Sequence, residues 1–216
     1  MSEDQDAVDG SAQGFVALVT APVVVYDRHL DVVAANELAG AVSASFTIGV
    51  NLARFTFLNP MVEETTEEWA ATATMTVSAL HRSLTRYGED QRFRELVGEL
   101  ITHSPAFTER WAEALGSKVD AAGSTPVSVR EPARASGPQT GVSVFTNPLV
   151  GVLRLRFEHL RRIDTDEDAR EREHEPEREH EGASEDTGTY LLWAPADAES
   201  AERLTRLQAL IEKTTV

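Results

Sequence analysis

The stretch PVVVYDRHLDVVAANELAG, residues 22–40, decides the fold class. Two short runs of β-branched and apolar residues, Val23–Tyr26 and Leu30–Ala34, flank the turn-like pair Asp27-Arg28. This pattern predicts a tight antiparallel hairpin. Asn36 follows the second run, and its side chain is suited to cap the first turn of a helix. We therefore expect a strand–turn–strand–helix opening, which is common in small α+β sensor domains.

A short helix containing Phe15, Leu18 and Val19 is predicted ahead of the hairpin. A longer helix is predicted downstream. Thr65 with Glu68 three residues later forms a capping box, and apolar residues then recur at steps of three and four. Gly88 is suited to end that helix because glycine favours the C-terminal cap position.

Two more helices are predicted directly after Gly88. The apolar face of the first consists of Phe93, Leu96, Val97, Leu100 and Ile101. Ser104-Pro105 is a typical start for the second, which carries Phe107 and Trp111 on one face. Because the links are short, we expect the three helices to pack as neighbours.

Strand patterns return in GVSVFTNPLVGVLRLRFEHL, residues 141–160. A turn at Asn147-Pro148 divides this stretch. Beyond the turn, apolar residues alternate with Arg154 and Arg156, which predicts a half-buried antiparallel hairpin. TYLLWAP, residues 189–195, predicts a last strand, and Asp197 is suited to cap a C-terminal helix.

These elements predict an α+β fold with about five antiparallel strands and helices packed on one face of the sheet. We assign residues 1–10 to a disordered acidic tail and residues 11–216 to a single domain. Two polar segments have no helix or strand pattern and are expected to be flexible inserts: residues 117–140 and 164–187.

Charge and composition exclude several classes of function. The formal net charge of −16 argues against binding to nucleic acid or to an anionic membrane. The absence of cysteine excludes disulfides, thiol catalysis, iron–sulfur clusters and cysteine-based zinc sites. No stretch has the pattern of a signal peptide or of a membrane-spanning helix, so we expect a cytoplasmic protein.

Four stretches, taken in order and spacing, resemble one family. They are VVYDRHLDVVAAN, NLARFTFLNP, LVGELITHSPAFTERWAEA and NPLVGVLRLRFEHLR, with LLWAPADAESAERL as a weaker fifth. Together they are similar to the MmyB-like ligand-binding domain, which is usually the C-terminal half of actinobacterial helix-turn-helix regulators of the XRE type. The resemblance implies a PAS-like fold with an apolar cavity between sheet and helices. It also implies transcription regulation through sensing of a fatty-acid-like ligand.

The sequence departs from the family pattern at two points. No helix-turn-helix precedes the domain, so we expect no direct binding of nucleic acid by this chain. Ala114 stands where the family commonly places a histidine, three residues after Trp111. We expect a small apolar ligand, and either a homodimer or a separate helix-turn-helix protein as partner.

Two functions remain open from the sequence. The first is a non-enzymatic ligand-sensing domain, and the second is a dimerisation or protein-interaction module without a small ligand. Enzyme signatures such as G-x-S-x-G, H-E-x-x-H or a phosphate-binding glycine loop are absent, and no cofactor is predicted.

Arg54 lies among large apolar residues in NLARFTFLNP, residues 51–60. An arginine at the end of an apolar tunnel can hold a carboxylate through two parallel hydrogen bonds. The alternative is that Arg54 extends into solvent or pairs with a structural acid, such as Asp27 or Glu95.

A cavity and a packed core are alternative interpretations of the large apolar residues. With Arg54, the candidate ligand-binding residues are Tyr26, Phe55, Phe57, Trp69, Leu80, Leu96, Trp111, Leu155 and Phe157. His81 and His103 lack a haem-binding motif, and His174 and His180 lack metal-ligand spacing, so no metal site is predicted.

Overall fold

A computed structural model describes residues 12–65, 69–116, 140–161 and 188–214 of the chain. Its sheet has five strands in the order β2-β1-β5-β4-β3, and every neighbouring pair is antiparallel. The strands are β1 (Val23–Tyr26), β2 (Val32–Ala35), β3 (Thr140–Asn147), β4 (Gly151–Arg161) and β5 (Thr189–Pro195). The predicted α+β, PAS-like architecture with a five-stranded antiparallel sheet is confirmed.

Helices precede, connect and follow the strands. They are α1 (12–18), α2 (Glu37–Val42), α3 (Leu52–Leu58), α4 (Pro60–Thr65), α5 (Trp69–Tyr87), α6 (Gln91–His103), α7 (Pro105–Gly116) and α8 (Ala198–Thr214), with a 3-10 helix at Ala44–Phe46.

The helix caps predicted at Asn36, Gly88, Ser104 and Asp197 are confirmed. The Asn36 side chain accepts a hydrogen bond from the Ala39 amide at 3.0 Å. Ser104 and Asp197 cap α7 and α8 in the same way, by accepting from the amides three residues later. Gly88 ends α5 with a φ of +76°, a conformation that glycine adopts without steric cost.

The capping-box prediction is wrong, whereas the predicted short helix ahead of the hairpin is present as α1. Thr65 does not begin the long helix: it is the last residue of α4, which starts at Pro60 because proline fits the first turn of a helix. Glu68 lies outside the described residues. In α1, Phe15 and Leu18 are 42% and 84% exposed, whereas Ala12 and Val16 are buried, since residues four apart share the face that meets the sheet.

The predicted acidic tail (1–10) and the insert predicted at 164–187 lie outside the described residues. The insert predicted at 117–140 also lies outside them, except for Thr140, which begins β3.

In α6, Ile101 was assigned to the apolar face, but it is 43% exposed because the face that packs holds Phe93, Leu96 and Leu100.

The described helices other than α1 lie on one face of the sheet. On that face, Val24, Leu153, Leu155 and Trp193 form a core with α2, the 3-10 helix and α8. Helix α1 packs on the opposite face, where its buried residues meet alternate β1 residues such as Val23 and Val25. The prediction of helices on one face of the sheet is therefore incomplete, because α1 covers β1 on the other face. All four residues of β1 are buried.

A second core lies among the helices themselves. Its buried residues include Ala73, Val77 and Leu80 of α5. These pack with side chains from α3, α6 and α7, and helices α5 and α7 contact each other directly. The fold therefore has a sheet core and a helical core as separate clusters, and α5 belongs to the helical one.

The β1–β2 turn, residues 27–31, joins the sheet to the helical layer. The Asp27 carboxylate accepts hydrogen bonds from the His29 and Asp31 amides, each at 2.8 Å. Leu30 has a φ of +66°, which is an outlier for a bulky residue and costs of order 1–3 kcal/mol. Contacts between the turn and three helices hold Leu30 in this strained conformation.

Each of these helices contacts the turn through a polar side chain. Asn51, the N-cap of α3, donates to the His29 carbonyl at 2.8 Å and caps α3 through its Oδ1. Ser83 of α5 donates to the Arg28 carbonyl at 2.6 Å. Asp90, the N-cap of α6, lies 3.0 Å from the Nε2 of His29 and also pairs with Arg28.

This geometry shifts two pKa values in opposite directions. Burial alone lowers the pKa of His29, but hydrogen bonds and charge from Asp27 and Asp90 outweigh it and raise that pKa above 6.5. Burial likewise raises the pKa of Asp90, but the Phe93 amide, His29 and Arg28 outweigh it and lower that pKa below 3.8. The charged pair is therefore favoured in the folded state.

We expect this pair to give the protein a bell-shaped stability profile against pH. A raised histidine pKa stabilises the fold below 6.5, and this contribution is lost as pH rises through the folded pKa of His29. A lowered aspartate pKa stabilises the fold above 3.8, and this contribution is lost as pH falls through the folded pKa of Asp90. Urea denaturation across this range measures the profile.

The control for that profile is His29→Gln, which keeps a side chain of similar polarity and removes the titration. It should flatten the decline on the alkaline side and reduce the decline on the acid side, where the Phe93 amide and Arg28 still lower the pKa of Asp90. A wild-type free energy of unfolding that stays constant or rises from pH 6.5 to 8 contradicts the assignment.

Candidate functional site

A cavity of about 670 Å³ lies between the sheet and the helices. The sheet side is formed by β1, β3, β4 and β5, and the helical side by α2, the 3-10 helix, α3, α4 and α5. This volume is in the range of small-molecule sites, which are mostly apolar and lie where secondary-structure layers meet. The fold thus leaves a space between its sheet and helical cores.

Aromatic rings form the wall of the cavity near the β3–β4 turn. Phe46 lies 4.4 Å from Trp193 and 5.6 Å from Phe145, measured between ring centroids. Phe157 extends this wall along β4. Its ring lies over Gly141 of β3, where an added Cβ atom would come within 2.6 Å of it, so glycine is needed for this packing. The wall presents flat apolar surface to the cavity.

Several polar side chains in the lining are already bonded within the protein. Thr56 and Thr76 each donate to a backbone carbonyl one helical turn earlier, at 2.8 and 2.9 Å. Ser43 and Ser45 bond each other at 2.9 Å, and Asn147 donates to the Ala41 carbonyl at 2.7 Å. Because these groups are satisfied, they offer little to a polar guest, and the wall is effectively apolar.

One face of α5 lines the cavity, and sequence reasoning missed it. Its residues are Thr72, Met75, Thr76, Ala79 and Arg82. They recur at steps of three and four, as one stripe of a helix does. These residues form a second stripe on α5, beside the apolar one. It could not be identified from the sequence, because two threonines, an alanine and an arginine do not have the composition of a buried face.

The two ends of the cavity differ in polarity. Pro148 and exposed Leu149 lie at the β3–β4 turn, whereas Tyr26, His159 and Arg82 line the other end. The rings of Tyr26 and His159 are 6.4 Å apart. From Gly151 to His159, β4 advances about 26 Å, at roughly 3.3 Å per residue. The cavity is therefore elongated along β4.

Three of the predicted site residues line the cavity: Tyr26, Phe55 and Phe157. They come from β1, α3 and β4, so elements far apart in sequence bring them together. Tyr26 is 6% exposed and also contacts the helical core.

The structure places the other predicted apolar residues away from the cavity. Those in the helical core are Phe57, Trp69, Leu80, Leu96 and Trp111. Leu155 is fully buried in the sheet core. Phe57, Phe107 and Trp111 pack ring against ring, with neighbouring centroids 5.1 to 5.5 Å apart. These side chains fill one another's gaps, so the packed-core interpretation describes their position.

Arg54 also lies outside the cavity lining. Its Nε donates to Glu99 of α6 at 2.7 Å, and its side chain is 45% exposed. The buried face of α3 is formed by Ala53, Thr56 and Phe57, and Arg54 is turned away from that face. The structure therefore favours the alternative of pairing with an acid, although the partner is Glu99 and not Asp27 or Glu95.

Among the described residues, one group of side chains could bind a metal, and each of its members has structural partners. Ligand atoms of Asp27, His29 and Asp31 lie within 4.8 Å of one another. These residues form the bonds of the β1–β2 turn, and Asp31 also pairs with Arg92 and accepts from Asn51 at 3.0 Å. We assign the cluster a structural role in the turn.

The histidines considered as metal ligands occupy unrelated positions. His81 packs edge-on against Trp111, with ring centroids 6.2 Å apart, and His103 is exposed at the end of α6. His174 and His180 lie outside the described residues.

Within the described residues, no helix has the length and hydropathy needed to cross a membrane. A search among curated proteins finds no match to the chain. A family model matches residues 11–183, which is most of the sequence, and describes the MmyB-like transcription regulator ligand binding domain. The chain therefore belongs to the family of MmyB-like transcription regulator ligand binding domains.

Proposed function

We propose that this protein senses a fatty-acid-like molecule, held in the cavity between sheet and helices, without catalysing a reaction. The observation that carries the proposal is the 670 Å³ cavity, whose mostly apolar lining extends from the β3–β4 turn to Tyr26 and His159. Each methylene moved from water into such a space contributes about 0.8 kcal/mol, so a long alkyl chain is the guest that gains most. Membership of a regulator ligand-binding family supports the sensing role.

Helix α5 is the element that would report occupancy. One face lines the cavity with Thr72, Met75 and Thr76, and a neighbouring face is buried against α3, α6 and α7 through Val77 and Leu80. A guest that prefers one position of α5 shifts the population towards that position. Because α5 packs directly on α7, the shift changes the outer helical layer, where a second copy or a separate helix-turn-helix protein can detect it.

We expect the protein to retain a lipid when purified under native conditions. Organic extraction followed by mass spectrometry should recover an acyl chain in a fixed ratio to protein, and delipidation should lower the melting temperature. A clean extract, together with no rise in melting temperature on adding fatty acids, supports the interaction module without a small ligand and contradicts the sensing role.

Filling the cavity should abolish binding without unfolding the protein. Thr76→Phe places a ring in the space that the guest needs, so we expect the rise in melting temperature caused by dodecanoic acid to fall close to zero. Thr74→Phe is the matched control. Thr74 lies on the same helix and bonds the carbonyl four residues earlier, as Thr76 does, but it is exposed.

Thermal unfolding of both variants with and without dodecanoic acid provides the measurement. Thr74→Phe should keep the wild-type shift. If Thr76→Phe folds and also keeps that shift, the acid binds elsewhere and the cavity is not the site.

A further inference from the structure

We infer that the guest enters the cavity through a mouth beside the β3–β4 turn, and that Asn147 is the latch of this mouth. The mouth is bordered by Ala44 of the 3-10 helix on one side and by Thr146, Pro148 and Leu149 on the other. This inference rests on the proposed function, because it adds the route of entry and its control to the same cavity.

The first argument is the exposure of the lining. A side chain that lines a cavity and is also exposed lies where the cavity meets solvent. Among the described lining residues five are exposed, and four of these border the mouth: Ala44, Thr146, Pro148 and Leu149. The fifth is Met75 of α5, which lies about two helical turns before Arg82. At the opposite end of the cavity, Tyr26, Arg82 and His159 are buried or half-buried.

The second argument is a hydrogen bond between the turn and α2. The Nδ2 of Asn147 donates to the Ala41 carbonyl at 2.7 Å, across 106 positions of sequence. Asn147 is 5% exposed, although its neighbours Thr146 and Pro148 are both exposed. The bond therefore ties the turn to α2 at the point where the lining is most open, and it holds the mouth closed.

The turn has a shape that does not depend on this latch. The Oδ1 of Asn147 accepts from the Leu149 amide at 3.0 Å, and Gly151 ends the turn with a φ of +87°, which favours glycine. Because one atom of the amide shapes the turn and the other binds α2, the turn can release α2 as a unit. Water then replaces the lost partners, so the latch changes the balance between the closed and the open mouth only about 3- to 10-fold.

The surface that leads inward from the mouth is apolar. Leu149 is 62% exposed at the entrance, and the rings of Phe46 and Phe145, whose centroids are 5.6 Å apart, continue the wall. An alkyl chain therefore loses contact with water step by step as it enters. In our account the latch closes the empty and the occupied cavity alike, so its loss speeds entry and exit equally.

Asn147→Ser tests the latch. A serine hydroxyl still accepts from the amide two residues later, but it is too short to reach the Ala41 carbonyl. We expect association and dissociation of dodecanoic acid to become about 3- to 10-fold faster, with an unchanged Kd. Stopped-flow tryptophan fluorescence measures both rates, because Trp193 lines the cavity.

Asn36→Ser is the matched control. Asn36 also accepts from an amide and donates to backbone carbonyls, those of Val19 and Ala21, but it does not line the cavity. This variant should keep the wild-type rates. Unchanged rates in a folded Asn147→Ser, or equal acceleration in both variants, overturn the assignment of the latch.

A site-specific block tests the route of entry. The chain has no cysteine, so Leu149→Cys and Leu18→Cys each carry one thiol for biotin maleimide. Leu149 and Leu18 are 62% and 84% exposed, so both variants keep the core, and α1, which carries Leu18, packs on the other face of the sheet. Streptavidin bound at position 149 should slow uptake of dodecanoic acid by about 10-fold or more, and streptavidin bound at position 18 should leave uptake unchanged.

The outcomes separate the route of entry from the proposed function. If streptavidin at position 149 slows uptake no more than at position 18, the inference is overturned and the cavity still stands as the ligand site. Loss of binding on biotin labelling of position 149 alone supports the mouth. If wild type binds no dodecanoic acid, the proposed function itself fails.

Discussion

The β1–β2 turn fixes the distance between the sheet and the helical layer, and the cavity depends on that distance. Asp27 holds the turn in shape, and the turn then binds α3 through Asn51 and α6 through Asp90. At the other end of the sheet, α2 and α8 cover Leu153 and Leu155. Between these two attachments, the helical layer is held away from β4, so the cavity remains open between them.

Helix α5 connects the cavity to the rest of the molecule. Its buried residues Ala73, Val77 and Leu80 are part of the helical core, while the stripe from Thr72 to Arg82 faces the cavity. The helix is therefore anchored on one side and open to a guest on the other. In our account, this asymmetry makes α5 both a wall of the ligand site and the element whose position the ligand changes.

The parts of the fold that could be predicted from sequence depend on local chemistry. Asn36, Gly88 and Ser104 act within three or four residues of their own position, so their roles were visible in the sequence. The strands were visible because alternation of apolar and charged residues, as around Arg154, follows from the geometry of the strand itself.

The lining of the cavity could not be predicted in this way, because it depends on which stripe of each helix faces which layer. The most apolar stripe of α5 went into the helical core, and the stripe with Thr72 and Thr76 faces the cavity. Arg54 of α3 lies between Ala53 and Phe55, and Arg82 of α5 lies between His81 and Ser83, so neighbouring residues in sequence do not identify which arginine lines the cavity. Only the rotation of α3 and α5 about their axes separates an arginine paired on the surface from one that lines the cavity.

The central claim is that an acyl chain lies against α5 inside the cavity, and the methionines offer the most direct measurement. The chain has three methionines: Met75 lines the cavity, whereas Met61 is 60% exposed and does not line it. With methyl-¹³C methionine and bound dodecanoic acid, our account predicts nuclear Overhauser effects from the alkyl chain to the Met75 methyl group and none to Met61. Saturating binding of the acid without any such contact to Met75 would contradict it.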